Sequence, residues 1–159
     1  MALDRLAGSE VIETASIADL AALHEIEAHS FPNPQSVEQL AAELANPQAR
    51  LELIRERGAP IAFASYWLVV PGAQHAAEVH ILSIATHPDY RRRGLAAHLL
   101  HHALDAGRAI GAEIATLEVR RSNVPAIALY ERHGFSTVHV RVGYYQSNRE
   151  DALVMLASL

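Results

Sequence analysis

The run Ile84-Ala85-Thr86-His87-Pro88-Asp89-Tyr90-Arg91-Arg92-Arg93-Gly94-Leu95-Ala96 holds the densest chemistry in this chain. A strand-like segment ends, a short loop brings three consecutive arginines, and a long helical pattern opens around Gly94 and Ala96. The first N–H groups of a helix have no partner within it, and the helix dipole adds positive potential there. Small residues at that point let the oxygens of an anion reach the backbone. A phosphate or pyrophosphate is the ligand such a loop fits. The competing reading is a solvated arginine-rich turn ahead of a helix.

The elements that must carry this loop follow from periodicity and breakers. Residues 10–14 read as a short strand. Ser16 opens a helical pattern with Ile17, Leu20, Leu23 and Ile26 on one side, and Asp19 completes a loose capping box. Phe31-Pro32-Asn33-Pro34 must end that helix, because proline lacks the backbone donor and restricts its predecessor. A second helix is expected over 36–45. Strands are expected over 50–55, 61–70 and 78–85, separated by turns at Arg57-Gly58-Ala59-Pro60 and Pro71-Gly72. The long helix covers about 93–110 and closes at Gly111. A strand over 114–119, a helix over 125–133 with Asn123 as N-cap and Gly134 beyond its end, and closing strands over 135–142 and 152–156 complete the chain. The order βααβββαβαββ predicts an α/β (α+β) fold with a mixed sheet and helices on both faces.

Composition narrows the chemistry. The chain has 159 residues, 18 acids and 13 bases, a net charge of −5. Every base is arginine, so Schiff-base catalysis and a lysine-dependent phosphate loop are excluded. Cysteine is absent, which excludes disulfides, thiol nucleophiles and thiolate metal sites. Half of the residues are hydrophobic, and no internal repeat or linker is visible, so one domain is expected over 1–159. No apolar run reaches the roughly 18 residues needed to span a bilayer, and the MALDRLAGSE start lacks signal-peptide character. A soluble cytoplasmic protein is expected, with no membrane and no direct nucleic-acid partner. Charge is uneven: residues 1–79 balance at −7 and residues 80–159 at +2. The second half suits an anion and the first a cation.

The arginine loop, as Arg91-x-x-Gly94-x-Ala96, resembles the acetyl-CoA pyrophosphate loop of the GNAT N-acetyltransferases. The runs 117–123 (LEVRRSN) and 126–135 (AIALYERHGF) resemble the RimI-type branch, which acetylates protein N-termini, notably the N-terminal alanine of a small-subunit ribosomal protein. Arg141, Tyr144-Tyr145 and the segment from Glu150 to Met155 continue the likeness. The resemblance implies a GNAT fold with a mixed, splayed six- to seven-stranded sheet and acetyl-CoA as cosubstrate. It implies that Arg91, Arg92, Arg93, Gly94, Leu95, Ala96 and Ala97 hold the pyrophosphate. Ile84, Ala85 and Thr86 would pair with the pantetheine arm, one of their N–H groups polarising the thioester. Asn123 would contact CoA as well as cap its helix. Glu118 would be the general base, directly or through water, and Tyr130 the acid for the departing thiolate. Read without the family, Glu118 would pair with Arg120 or Arg121, and Tyr130 would pack in a core.

An N-terminal substrate needs little from a base. Near pH 7.4 an α-amino group is roughly 20% free amine, against about 0.1% for a lysine side chain. Two departures bear on the substrate: Gln35 stands where the branch commonly has tryptophan, and Gly143 stands where it often has asparagine before the paired tyrosines. Ten histidines raise a metal reading. His98 and His102 are i, i+4 with His101 beside them, but no third ligand is evident, and His24 and His29 are i, i+5, so no metal is expected. His80 and His133 are expected to pack or cap. The other functions kept open are acetylation of a small-molecule amine and a non-catalytic CoA-binding regulatory module; the oligomeric state is open.

Overall fold

The computed structural model describes residues 10–72 and 75–159. Its elements are β1 (Ile12–Thr14), α1 (Leu20–Ala28), α2 (Val37–Ala45), β2 (Ala49–Glu56), β3 (Ala59–Val69), β4 (Glu78–Thr86), α3 (Leu95–Ala109), β5 (Ile114–Arg120), α4 (Val124–Arg132), β6 (Ser136–Tyr145) and β7 (Glu150–Ser158). This is the expected order. The seven strands are hydrogen-bonded in the order β1-β2-β3-β4-β5-β7-β6. β4 and β5 are parallel, whereas β1–β2, β5–β7 and β6–β7 are antiparallel, so the sheet is mixed. Among the described residues no helix is long and apolar enough to cross a membrane. Contacts group the chain into two compact units, Met1–Ser65 with Ser83–His102, and Tyr66–Leu82 with Ala103–Leu159.

In the first unit, Leu20, Leu23 and Ile26 of α1 pack with Leu40 of α2, Leu51 and Leu53 of β2, Phe63 of β3 and Ala85 of β4. The three-residue apolar spacing on α1 is what builds this core. Ile17 was expected on the same side but is 80% exposed. The reason is a 3₁₀ turn at Ile17–Asp19 ahead of the α-helix. Asp19 accepts hydrogen bonds from the Ser16 backbone N–H and hydroxyl, and Arg55 pairs with it at 2.7 Å. The Arg55 hydrogen bond holds the Asp19 pKa at about 2. α2 starts as its sequence predicts: the Ser36 hydroxyl accepts from the Gln39 N–H at 3.1 Å, and the Gln39 side chain accepts from the Ser36 N–H at 2.8 Å.

In the second unit, β4 runs beside β5 with Glu78 opposite Ile114 and Ile81 opposite Leu117. Ala115, Leu117 and Val119 are buried, while Thr116, Glu118 and Arg120 alternate with them and are partly exposed. That two-residue period places Glu118 and Arg120 on one side of β5. Gly107 allows α3 to approach β4, because a Cβ there would stand 2.1 Å from Val79 Cγ2. α4 is capped by Asn123, whose side chain accepts from the Ala126 N–H at 3.3 Å, and stops before Gly134 at φ +87°. Phe135 was expected to open β6. It is instead buried with its ring 5.7 Å from Tyr130, and the strand starts one residue later.

Candidate active site

In the first unit, β4 ends at Thr86 and a 3₁₀ turn over Pro88–Tyr90, unforeseen in the sequence, leads into the arginines. Proline at its first position and the Asp89 N–H donating to His87 Nδ1 at 3.2 Å set that turn. The three arginines divide their work. Arg91 donates to the Thr86 and His29 carbonyls at 3.3 and 3.4 Å. Arg93 reaches Glu56 Oε1 with both terminal nitrogens at 3.2 Å and lies over the Tyr90 ring. These two shape the loop. Arg92 is exposed and left-handed, with φ +63°, and Gly94 follows at φ +73°. Neither conformation is helical, which is why α3 begins at Leu95 rather than at Arg93. The first closing bond of α3 runs from the His98 N–H to the Gly94 carbonyl, so the N–H groups of Leu95, Ala96 and Ala97 precede it. The Leu95 side chain is buried and offers only its backbone. Ala85 is buried, and Ile84 and Thr86 flank it on the other side of β4. Positive φ at Gly94, a free helix start and an exposed guanidinium fit a pyrophosphate.

The second unit holds Glu118 and Tyr130, the two residues the family resemblance singles out. Glu118 Oε2 accepts from His80 Nε2 at 2.9 Å, and Arg141 Nη2 lies 3.7 Å from Oε1. The His80 hydrogen bond, against some desolvation and with help from Arg141, lowers the Glu118 pKa below the usual carboxylate value. Glu118 is therefore ionised at neutral pH. The Trp67 ring meets His80 edge-on at 6.0 Å. Tyr130 is 7% exposed, and burial, then Tyr145, pushes its pKa up to about 12. Arg120 pairs with Glu150 at 3.2 Å and Arg121 with Asp151 at 3.4 Å, so the expected alternative partners of Glu118 are engaged elsewhere.

The turn that carries the paired tyrosines explains one departure. Arg141 faces Ala152 and Tyr145 faces Glu150, so three residues of β6 bulge against one of β7. Gly143 sits in that bulge at φ +64°, its N–H held by Asp151 Oδ1 at 3.0 Å. Glycine and asparagine are the residues that tolerate the left-handed region best, so Gly143 keeps the backbone an asparagine would permit. Gln35 is fixed by its backbone: its N–H donates to Glu27 Oε2 at 3.2 Å and its carbonyl accepts from His24 Nδ1 at 2.6 Å.

His80 is the neighbour of Glu118 that the sequence reading missed. The strand period placed it on the non-core side of β4, and that signal was available. His133 does cap, donating to the Leu129 carbonyl at 2.8 Å. His98 donates to the Glu10 carbonyl and His102 pairs with Glu52, and among the described residues no group of three or more His, Asp or Glu is placed to hold a metal.

In the first unit, a helix start beside an exposed arginine is the kind of feature that receives a phosphorylated carrier. The model for the acetyltransferase (GNAT) family matches residues 20–135, and the chain belongs to that family of acetyl-CoA-dependent N-acetyltransferases. It is 35% identical over 146 residues to the [ribosomal protein bS18]-alanine N-acetyltransferase of Escherichia coli K12, covering 91% of this chain and 94% of that one. It is 46% identical over 81 residues to the N-alpha-acetyltransferase of Saccharolobus solfataricus, about half of each chain. The crystal structure of the Escherichia coli ribosomal-protein-S18-alanine N-acetyltransferase superposes with a TM-score of 0.81 at 33% identity, over 94% of this chain and 93% of that one.

Proposed function

We propose that residues 1–159 form a single cytoplasmic acetyltransferase domain that moves acetyl from acetyl-CoA to the α-amino group of a protein N-terminus, the N-terminal alanine of a small-subunit ribosomal protein. The observation that carries this reading is the ionised Glu118 ordered by His80, in a chain 35% identical over 91% of its length to an enzyme named for that substrate. Arg92, Gly94 and the N–H groups of Leu95, Ala96 and Ala97 take the pyrophosphate, with Arg91 and Arg93 holding the loop. The backbone of Ile84, Ala85 and Thr86 lines up the pantetheine arm, and Asn123 contacts CoA. When bound, acetyl-CoA supplies the activated acyl group.

Glu118 accepts the amine proton, directly or through a water held with His80. Tyr130 donates toward the leaving sulfur. With its pKa at about 12 and an ordinary thiol near 8.5, complete transfer from the phenol is uphill by roughly 5 kcal/mol. Tyr130 therefore stabilises the thiolate by a hydrogen bond and keeps its own proton through most of the step. The −7 balance over residues 1–79 suits a basic polypeptide end.

The test is incubation with acetyl-CoA and short peptides. Alanine-starting peptides are acetylated ahead of internal lysines, and added salt raises the KM of a basic peptide more than that of a neutral one. Transfer to small amines but not to peptides would replace this reading with a small-molecule acetyltransferase. Acetyl-CoA binding without transfer would leave a regulatory module.

A further inference from the structure

Arg120 ends β5 two residues beyond Glu118 and on the same side of the strand. Its side chain is 11% exposed, unusual for an arginine at a strand end. Nη1 donates to Asn148 Oδ1 at 3.1 Å and to Glu150 Oε2 at 3.2 Å, and Nη2 donates to Ser147 Oγ at 3.4 Å. The guanidinium carbon lies 3.9 Å from the centre of the Tyr145 ring. Every one of these partners belongs to the turn that joins β6 to β7 or to its first flanking residues. Glu150 also accepts from the Ser122 N–H at 2.7 Å, so the same turn is tied to the segment that leads into α4. The turn residues 146–149 are exposed, and within the turn Asn148 also accepts from the Glu150 N–H at 3.1 Å and donates to Glu150 Oε2 at 3.3 Å. A planar guanidinium presents five donors in a fixed fork and stacks on an aromatic face, which a lysine cannot copy.

The Tyr145 ring meets Tyr144 edge-on at 5.2 Å, and Arg141, which lies over Tyr144, is 3.7 Å from Glu118, so the turn's tyrosines stand beside the carboxylate. We propose that Arg120 is a positioning residue that pegs the β6–β7 turn and holds the Tyr145 ring in place, and so sets how the peptide substrate is received. This rests on the peptide-acetylating reading for its kinetic half; its structural half does not. Arg120 touches no reacting atom in this scheme. Removing it leaves the His80–Glu118–Arg141 contacts in place but frees the turn and its tyrosine.

Two variants separate charge from shape: R120K keeps the charge and loses the fork, and R120M loses both. With an alanine-starting peptide, both are expected to raise the peptide KM about tenfold or more, while the acetyl-CoA KM and kcat stay within about threefold of wild type. R120K and Y145A are expected to be non-additive in peptide KM, because each undoes the same placement. The second readout needs no activity. Trypsin cuts after arginine, Arg149 lies in the turn, and R120M is expected to be cut there at least tenfold faster than wild type, with unchanged acetyl-CoA affinity showing that the protein is folded. An unchanged peptide KM in R120K and R120M, additive effects with Y145A, or an unchanged rate of cutting at Arg149 would each overturn the proposal. If wild-type protein acetylates no peptide at all, the functional reading fails, and the peg still stands or falls on cutting at Arg149.

Discussion

Glu27 in the first unit and Glu118 in the second carry the same carboxylate and are displaced in opposite directions. Glu27 is 4% exposed on α1, and burial raises its pKa, with hydrogen bonds from the Gln35 N–H and the Ser83 hydroxyl only partly offsetting that. Glu118 is lowered by His80 and Arg141. At Glu27 desolvation outweighs the hydrogen bonds and the nearby His24, and the carboxylate serves as a structural strut. A half-buried carboxylate beside an imidazole and a guanidinium stays ionised and can exchange protons. Glu27 ties the end of α1 to the turn at Gln35 and to β4. Glu118 is held ionised beside His80 and Arg141, as the proposed base would be.

Four experiments bear on that contrast. The largest effect is expected from E118Q, a loss of turnover on the order of 10² to 10⁴ with acetyl-CoA affinity nearly unchanged. Steady-state kinetics with an alanine-starting peptide beside direct binding would show it, and wild-type turnover would remove Glu118 from the mechanism. Y130F should cost less, roughly tenfold to a hundredfold in kcat, because one donated hydrogen bond is lost and no base; equal kcat for Phe and Tyr would refute the donor role.

A third outcome concerns pH. His80 is the largest cause of the low Glu118 pKa, so H80A returns that pKa upward toward the ordinary value. NMR of the Glu118 side-chain carboxyl carbon measures it directly, and a titration identical to wild type would break the link. The smallest effect is expected from E27Q, which should keep activity within about twofold. Here the sign is opposite to the usual carboxylate. A raised folded pKa means that the stability held with Glu27 protonated is lost as pH rises from the unfolded value through the folded one. Wild type should therefore weaken relative to E27Q across that window. Urea midpoints measured on both proteins from acid to neutral pH give the difference, and a wild type that gains stability on E27Q with rising pH would mean that Glu27 is held ionised.

Much of this was legible in the chain itself. The order of elements follows from apolar period, proline breaks and caps at Ser36 and Asn123. The anion loop follows from arginines beside glycine at a helix start, and its family likeness from motifs that lie within a few residues of one another. The replacement at Gly143 was not readable there; it is explained only by the bulge, where its backbone takes φ +64°. Local chemistry is encoded locally, because caps, turns and helix starts involve residues three or four apart.

Tertiary structure decided which charges meet. His80 and Glu118 are 38 positions apart and meet only because β4 lies parallel beside β5 in one register. Sequence neighbours Arg120 and Arg121 were the obvious partners for Glu118, but they are satisfied by Glu150 and Asp151 across the β5–β7 pairing. The directions of the Glu27 and Glu118 displacements belong to the same class of fact. A side chain's pKa depends on its burial and on the charges around it in space. The sequence by itself determined which residues could be candidates for the chemistry; only the packing of strands decided which carboxylate is held ionised, and which is a buried strut.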